Sequence, residues 1–168
     1  MNYLNMNDKE IKPVVEELNI LLADYSVYYQ KMRSFHWNVL GKSFFSLHEK
    51  FEELYNDARL KVDEIAERIL TLRYHPVSNL KDYLAMAHVE ETSPFINDTE
   101  MVSEILSDHK KLLKQMKTAI DKADSAGDEG TVDMLGGYVG DIEKISWMLD
   151  AFNKETSDQL KKSTTASA

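Results

Sequence analysis

The sequence predicts an all-α protein: a bundle of four long helices, with a short extra helix in the crossover between the second and third. Two observations predict it. Apolar residues recur at three-and-four spacing through four long stretches, which is the periodicity of a buried helical stripe. The helix breakers Gly41, Pro76, Pro94 and Gly127 all fall between those stretches. At 168 residues, 43% hydrophobic and 29% charged, the chain suits one soluble domain spanning 1–168, with short flexible termini at about 1–6 and 159–168.

The first helix is expected from about Asn7 to Asn38, marked by Val14, Leu18, Leu21, Tyr25, Tyr28, Met32 and Phe35, with Pro13 in its first turn. Residues 38–41 make the turn. A second helix runs through Ser46–Arg68, where Ser46 and Glu49 form a capping-box start. Phe51, Leu54, Tyr55, Ala58, Val62, Ile65 and Ile69 are its stripe. It should stop near Arg73 to His75, because Pro76 disfavours helix at the residue before it. The connection from Pro76 to Pro94 is too long for a hairpin, and Ser78 to Met86 carries the short helix, so the connection is a crossover between parallel helices. His75, His88, Glu90 and Glu91 read as loop or surface residues.

A third helix is expected from Asp98 to Ala126, closed by Gly127, with His109 as a lone core or boundary histidine. The fourth spans Glu129 to Thr156. Its Gly136, Gly137 and Gly140 each cost up to about 1 kcal/mol relative to alanine, so a helix or subunit is expected close to the backbone there.

Composition narrows the function. The absence of cysteine removes disulfides, thiolate metal sites and cysteine nucleophiles. No signal peptide or membrane-length apolar run is visible, which places the protein in the cytoplasm with no membrane partner. A net charge of −9 opposes direct contact with nucleic acid, yet an acidic surface concentrates cations.

The chemistry concentrates in the second helix. His48 with Glu52, and Asp63 with Glu67, are four apart, so each pair shares a face. From Glu52 to Asp63 is eleven residues, about 16 Å at roughly 1.5 Å per residue, while a metal ligand reaches only about 2 Å. One chain cannot bring both pairs to one ion. Eleven steps of about 100° return to within about 20° of the start, so both pairs lie on nearly one face. Glu52 with Asp63, and His48 with Glu67, are also both centred between Asp57 and Ala58. A second copy packed antiparallel about that centre sets His48 and Glu52 opposite the partner's Asp63 and Glu67, giving two identical sites. His36, twelve residues before His48 with a turn at Gly41, joins them. Nitrogen-plus-carboxylate ligation of this kind suits iron or zinc. Asp63 and Glu67 taken alone also read as an ordinary solvated face.

The segment FHWNVLGKSFFSLHEKFEELYNDARLKVDEIAERIL resembles the ferroxidase-centre signature of the Dps family, the mini-ferritins of DNA protection during starvation, and the similarity extends over nearly the whole chain. The resemblance implies a ferritin-like four-helix subunit, a hollow dodecamer, and oxidation of Fe(II), preferentially by hydrogen peroxide, at intersubunit sites with room for two iron ions. The family's ligands fall on His36, His48, Asp63 and Glu67, and its aspartate one turn after the second histidine is here the longer Glu52. It also places a tryptophan near that centre, where Trp37 stands. Asp124, Asp128, Glu129 and Asp133 make an acidic cluster; the family lines its iron-entry pores with carboxylates at the positions of Asp124, Glu129 and Asp133, with Glu129 again replacing an aspartate.

Neighbouring chemistries are set aside by spacing. No histidine has a glutamate three residues before it, as single-subunit di-iron bundles require, and Glu52 occupies the position where His-Glu-x-x-His would need its second histidine. The alternative is a DNA-compacting Dps protein, since some members use lysine-rich arms. Here the arms offer Lys9 and Lys12 beside Asp8 and Glu10, and Lys161 and Lys162.

Overall fold

The computed structural model describes residue 4 and residues 6–154. The chain forms α1 (Asp8–Asn38), α2 (Phe44–Thr71), α3 (Leu80–Met86), α4 (Asp98–Ser125) and α5 (Glu129–Phe152). The expected end of the last helix at Thr156, the flexible C-terminal tail and Lys161 and Lys162 lie outside the described residues.

Contact order along the helices fixes their directions. Between α1 and α4, Lys31 meets Asp108, Tyr28 meets His109 and the side chain of Gln115 donates to the Glu17 carbonyl, so residue numbers rise on one helix as they fall on the other. Lys61 with Asp141, Tyr138 with Glu64, and Arg68 with Thr131 show the same between α2 and α5. Both pairs are antiparallel, as is the hairpin of α1 with α2. It follows that α2 and α4 run parallel, and the connection through α3 is the crossover. Leu18, Leu22, Met32, Phe35, Phe51, Ile65, Ile105, Leu112 and Leu135 fill the centre with almost no exposure. Among the described residues no helix is long and apolar enough to cross a membrane.

The helix ends follow local chemistry, with two departures from expectation. Asn97 caps α4 through a capping box with Glu100 (2.8 and 3.0 Å), and Gly127, at φ 67°, lets Asp128 N–H reach back to the Ala123 carbonyl at 2.8 Å. The start of α2 is not the Ser46 capping box. Gly41 takes φ 102°, the chain turns early, and the helix begins at Phe44; Ser46 lies inside it, its hydroxyl donating to the Ser43 carbonyl. Pro13 is the sixth residue of α1, not in the first turn, because Asn7 caps the helix by accepting from Lys9 N–H. The cost there is one lost bond to the exposed Lys9 carbonyl.

Two features were not legible as charges in a sequence. Lys31 and Asp108 form an ion pair at 2.6 Å with both side chains nearly fully buried, and burial raises the Asp108 carboxyl while Lys31 opposes it. Lys61 is buried between Asp57 and Asp141, with its ammonium over the Tyr138 ring. Of the two neighbours expected at the α5 glycines, a helix or a subunit, a helix of the same chain is not the one. A Cβ at Gly136, Gly137 or Gly140 would meet nothing of this chain within 4 Å, so no helix of the same chain approaches their backbone.

Candidate metal centre

The last turn of α1 presents His36 and the first turns of α2 present His48, and the hairpin lays the two imidazoles on each other at 3.8 Å between ring centres and 24°. His36 Nδ1 lies 2.8 Å from the His48 carbonyl, and His48 Nδ1 lies 2.9 Å from the His36 carbonyl. A carbonyl oxygen only accepts, so each Nδ1 carries the proton and donates. In the neutral ring Nε2 is then the nitrogen that carries the lone pair, which is the tautomer in which imidazole binds a metal through Nε2. Part of this follows from helix geometry: the His36 carbonyl is in the last turn of α1, where carbonyls lack intrahelical partners. Phe44 stacks on the outer face of His48 at 4.9 Å and Tyr55 meets His36 edge-on at 5.4 Å, so both rings are held in place.

Glu52, Asp63 and Glu67 are exposed on α2. The Tyr55 hydroxyl donates to Glu52 Oε1 at 3.2 Å, tying the glutamate to the residue that also braces His36. Glu67 borders a groove of about 640 Å³ between α2 and α5, with Asp57, Lys61, Glu64, Arg68, Tyr138 and Asp141. Among the described residues, no three histidines or carboxylates come together closely enough to hold one metal ion. Among the described residues one chain thus joins His36 to His48, with Glu52 linked to them through Tyr55, and does not by itself complete a ligand group. Tyr55 is the residue that sequence reading missed here: it was legible only as part of the apolar stripe, although its place three residues after Glu52 was a signal.

The acidic cluster at the α4–α5 turn divides in two. Asp124, Glu129 and Asp133 are exposed, as a cation-attracting surface requires. Asp128 is not part of that surface. It is fully buried and caps α5, accepting from Thr131 N–H and Thr131 Oγ1 and pairing with the Arg68 guanidinium. Arg68 Nε also donates to Thr131 Oγ1 at 3.0 Å, and its guanidinium fills the space at Gly130, where a Cβ would come within 2.9 Å. Glu67's neighbour in sequence therefore anchors the segment that carries Glu129 and Asp133.

The other histidines have structural roles or none. His109 is buried, with Tyr28 on Nε2 and Ser146 on Nδ1, both at 2.8 Å; burial, then Lys61, pulls its pKa down to about 4. His88 is exposed, and its backbone N–H and that of Val89 donate to the buried Asp24, which thereby holds the crossover. His75 lies exposed in the loop after α2.

A helical bundle with one parallel crossover and paired histidines at the mouth of its first hairpin defines a ferritin-like protein, and residues 15–158 match the model of the ferritin-like domain. The chain is 43% identical over 141 residues, covering 84% of it and 97% of the relative, to DNA protection during starvation protein 2 of Bacillus anthracis. The crystal structure of a Dps protein from Bacillus brevis superposes with a TM-score of 0.86 at 41% identity, covering 89% of this chain and 100% of that one. A Dps protein from Vibrio cholerae, described as a member of a broad superfamily of ferritin-like diiron-carboxylate proteins, gives 0.88 at 38% identity, covering 92% and 97%. This chain belongs to the Dps family.

Proposed function

We propose that this protein is an iron-oxidising and iron-storing mini-ferritin that works in the cytoplasm as a homo-oligomer, a dodecamer. Fe(II) binds between subunits, at His36, His48 and Glu52 of one chain with the partner's Asp63 and Glu67. The observation that carries the reading is the His36–His48 pair, whose bonded Nδ1 atoms leave both Nε2 atoms free for a metal. The exposure of Asp63 and Glu67 farther along α2 supports a second copy as the source of the remaining oxygens.

The substrate is Fe(II), and the oxidant is hydrogen peroxide. Two ferrous ions give one electron each; the peroxide takes up two protons and leaves as two waters. Hard carboxylate oxygens favour the ferric product, which lowers the cost of electron loss. Zinc, which accepts the same nitrogens and oxygens, substitutes at the site without redox chemistry. Fe(III) leaves the centre as mineral inside the shell, so the cell is protected from peroxide and ferrous iron together. Asp124, Glu129 and Asp133 form the entrance, where like charges brought together by symmetry favour cations.

Subunit mixing tests the shared site. A His36→Ala/His48→Ala chain and an Asp63→Ala/Glu67→Ala chain should each be inactive, and co-assembly should restore part of the Fe(II) oxidation, because some interfaces then carry one complete site. No recovery in verified mixed shells would sink the shared-site reading.

A further inference from the structure

The outward face of α2 is self-complementary beyond its ligand-type residues. Phe45 with Leu70, and Asn56 with Arg59, are centred between Asp57 and Ala58, the centre that His48 with Glu67 and Glu52 with Asp63 also share. At about 100° per residue, all eight lie within about 50° of one line along the helix. Phe45 is 84% exposed and Leu70 49%, and Asn56 and Arg59 are exposed between them. An antiparallel copy about that centre sets Phe45 against the partner's Leu70 at both ends. In the middle it sets Asn56, with its side-chain carbonyl acceptor, against the partner's Arg59, which only donates.

Between ends and middle the match fails. Each copy brings Glu49, Glu52, Asp63 and Glu67 to this face, and the register places Glu52 opposite the partner's Asp63. Carboxylates opposed in a closing interface repel unless a cation lies between them. Arg59 is the one cation on that face. Among the described residues it makes no hydrogen bond or ion pair with its own chain, although Asp63 stands one turn further on. One turn is roughly 6 Å at roughly 1.5 Å per residue, within the reach of an arginine side chain. The partner's Glu52, opposite that Asp63, lies within the same reach.

We infer that Arg59 is the resident cation of the two-fold face, holding its own Asp63 and the partner's Glu52 together in the metal-free assembly. The partner's Asn56 orients the guanidinium, whose planar fork of donors serves the amide and both carboxylates. Fe(II) entering the same gap takes the place of Arg59. The displaced guanidinium turns to a groove of about 560 Å³ that Arg59 lines with Gln30, Ser34 and Glu91, all of which offer acceptors. The inference rests on the shared-site reading and adds its regulation: the assembly closes without metal, and each site exchanges one cation for another. An arginine that is merely solvated does neither.

The test is native mass spectrometry of the full chain over a dilution series, in chelator and with Zn(II), a metal without redox chemistry. The unmodified protein should stay associated in chelator, and Zn(II) should change its half-dissociation concentration little. Arg59→Gln should raise that concentration roughly tenfold or more in chelator. Zn(II) should return it to the unmodified value, because the metal supplies the missing charge, and Arg59→Lys should recover most of the loss. Arg59→Gln that dissociates at the unmodified concentration overturns the inference. So does a loss that Zn(II) leaves in place while calorimetry shows the metal bound. If calorimetry finds no Zn(II) bound to the unmodified protein, the metal-centre reading fails and the inference with it. Should Arg59→Gln not fold, Asn56→Asp decides. A carboxylate opposite the partner's Arg59 should lower the half-dissociation concentration in chelator several-fold; an unchanged or higher value overturns the inference.

Discussion

His36 and His48 each donate Nδ1–H to the other's backbone carbonyl, at 2.8 and 2.9 Å, so two residues twelve apart fix one another's ring orientation and tautomer. Usually a metal-binding histidine is oriented by a separate carboxylate, carbonyl or water. Here the two proposed ligands serve each other, and they do so through main-chain atoms.

That arrangement makes single and double substitutions differ. In His36→Ala the carbonyl of residue 36 remains, so His48 keeps its acceptor and its free Nε2. Zn(II) titration should show each single variant weakened by about 10- to 100-fold, and His36→Ala/His48→Ala without measurable binding at the same site. A single variant as inert as the double would mean that the carbonyl acceptors do not preserve the remaining ring.

At the α4–α5 turn, neighbouring aspartates should give opposite phenotypes. Converting Asp124, Glu129 and Asp133 to their amides should slow iron uptake at low Fe(II) and leave assembly intact, since all three are exposed. Asp128→Ala removes the cap of α5 and strands Arg68, so it should cost about 2–4 kcal/mol in urea unfolding. Unchanged uptake in the triple amide would show that iron enters elsewhere.

His109 should set part of the acid sensitivity. Its native pKa of about 4 lies below the value near 6.5 of an unfolded histidine, so below about 6.5 the unfolded chain binds a proton that the native chain refuses. The contribution is fully present above that value and lost as pH falls toward about 4, at most roughly 3 kcal/mol. Unfolding curves measured at stepped pH should therefore flatten over that window in His109→Gln; an identical slope in the variant would reassign the effect.

Direct binding to duplex DNA should be weak. The chain carries 20 basic against 29 acidic residues, and phosphate contacts depend on clustered lysine and arginine. In gel-shift titrations at about 0.15 M salt, any shift should vanish with chelator, because divalent ions would be bridging surface carboxylates to phosphate. A chelator-resistant shift at sub-micromolar protein would restore the DNA-compacting alternative.

The sequence by itself determined the four long helices, the crossover helix and the ligand-type pairs on α2, because periodicity and breaker residues act within a few residues of one another. It also showed, from a rise of roughly 1.5 Å per residue, that one chain could not close the site. Tertiary structure decided what depends on neighbours remote in sequence. Asp124 and Asp128 are equally acidic letters, yet Arg68, sixty residues from Asp128, makes Asp128 a buried cap. The burial of Lys31 and Lys61 also depends on α4 and α5, which bring Asp108 and Asp141 to their ammonium groups. The proton positions on His36 and His48 likewise waited on the hairpin, because a tautomer is chosen by whichever acceptor the fold brings to the ring.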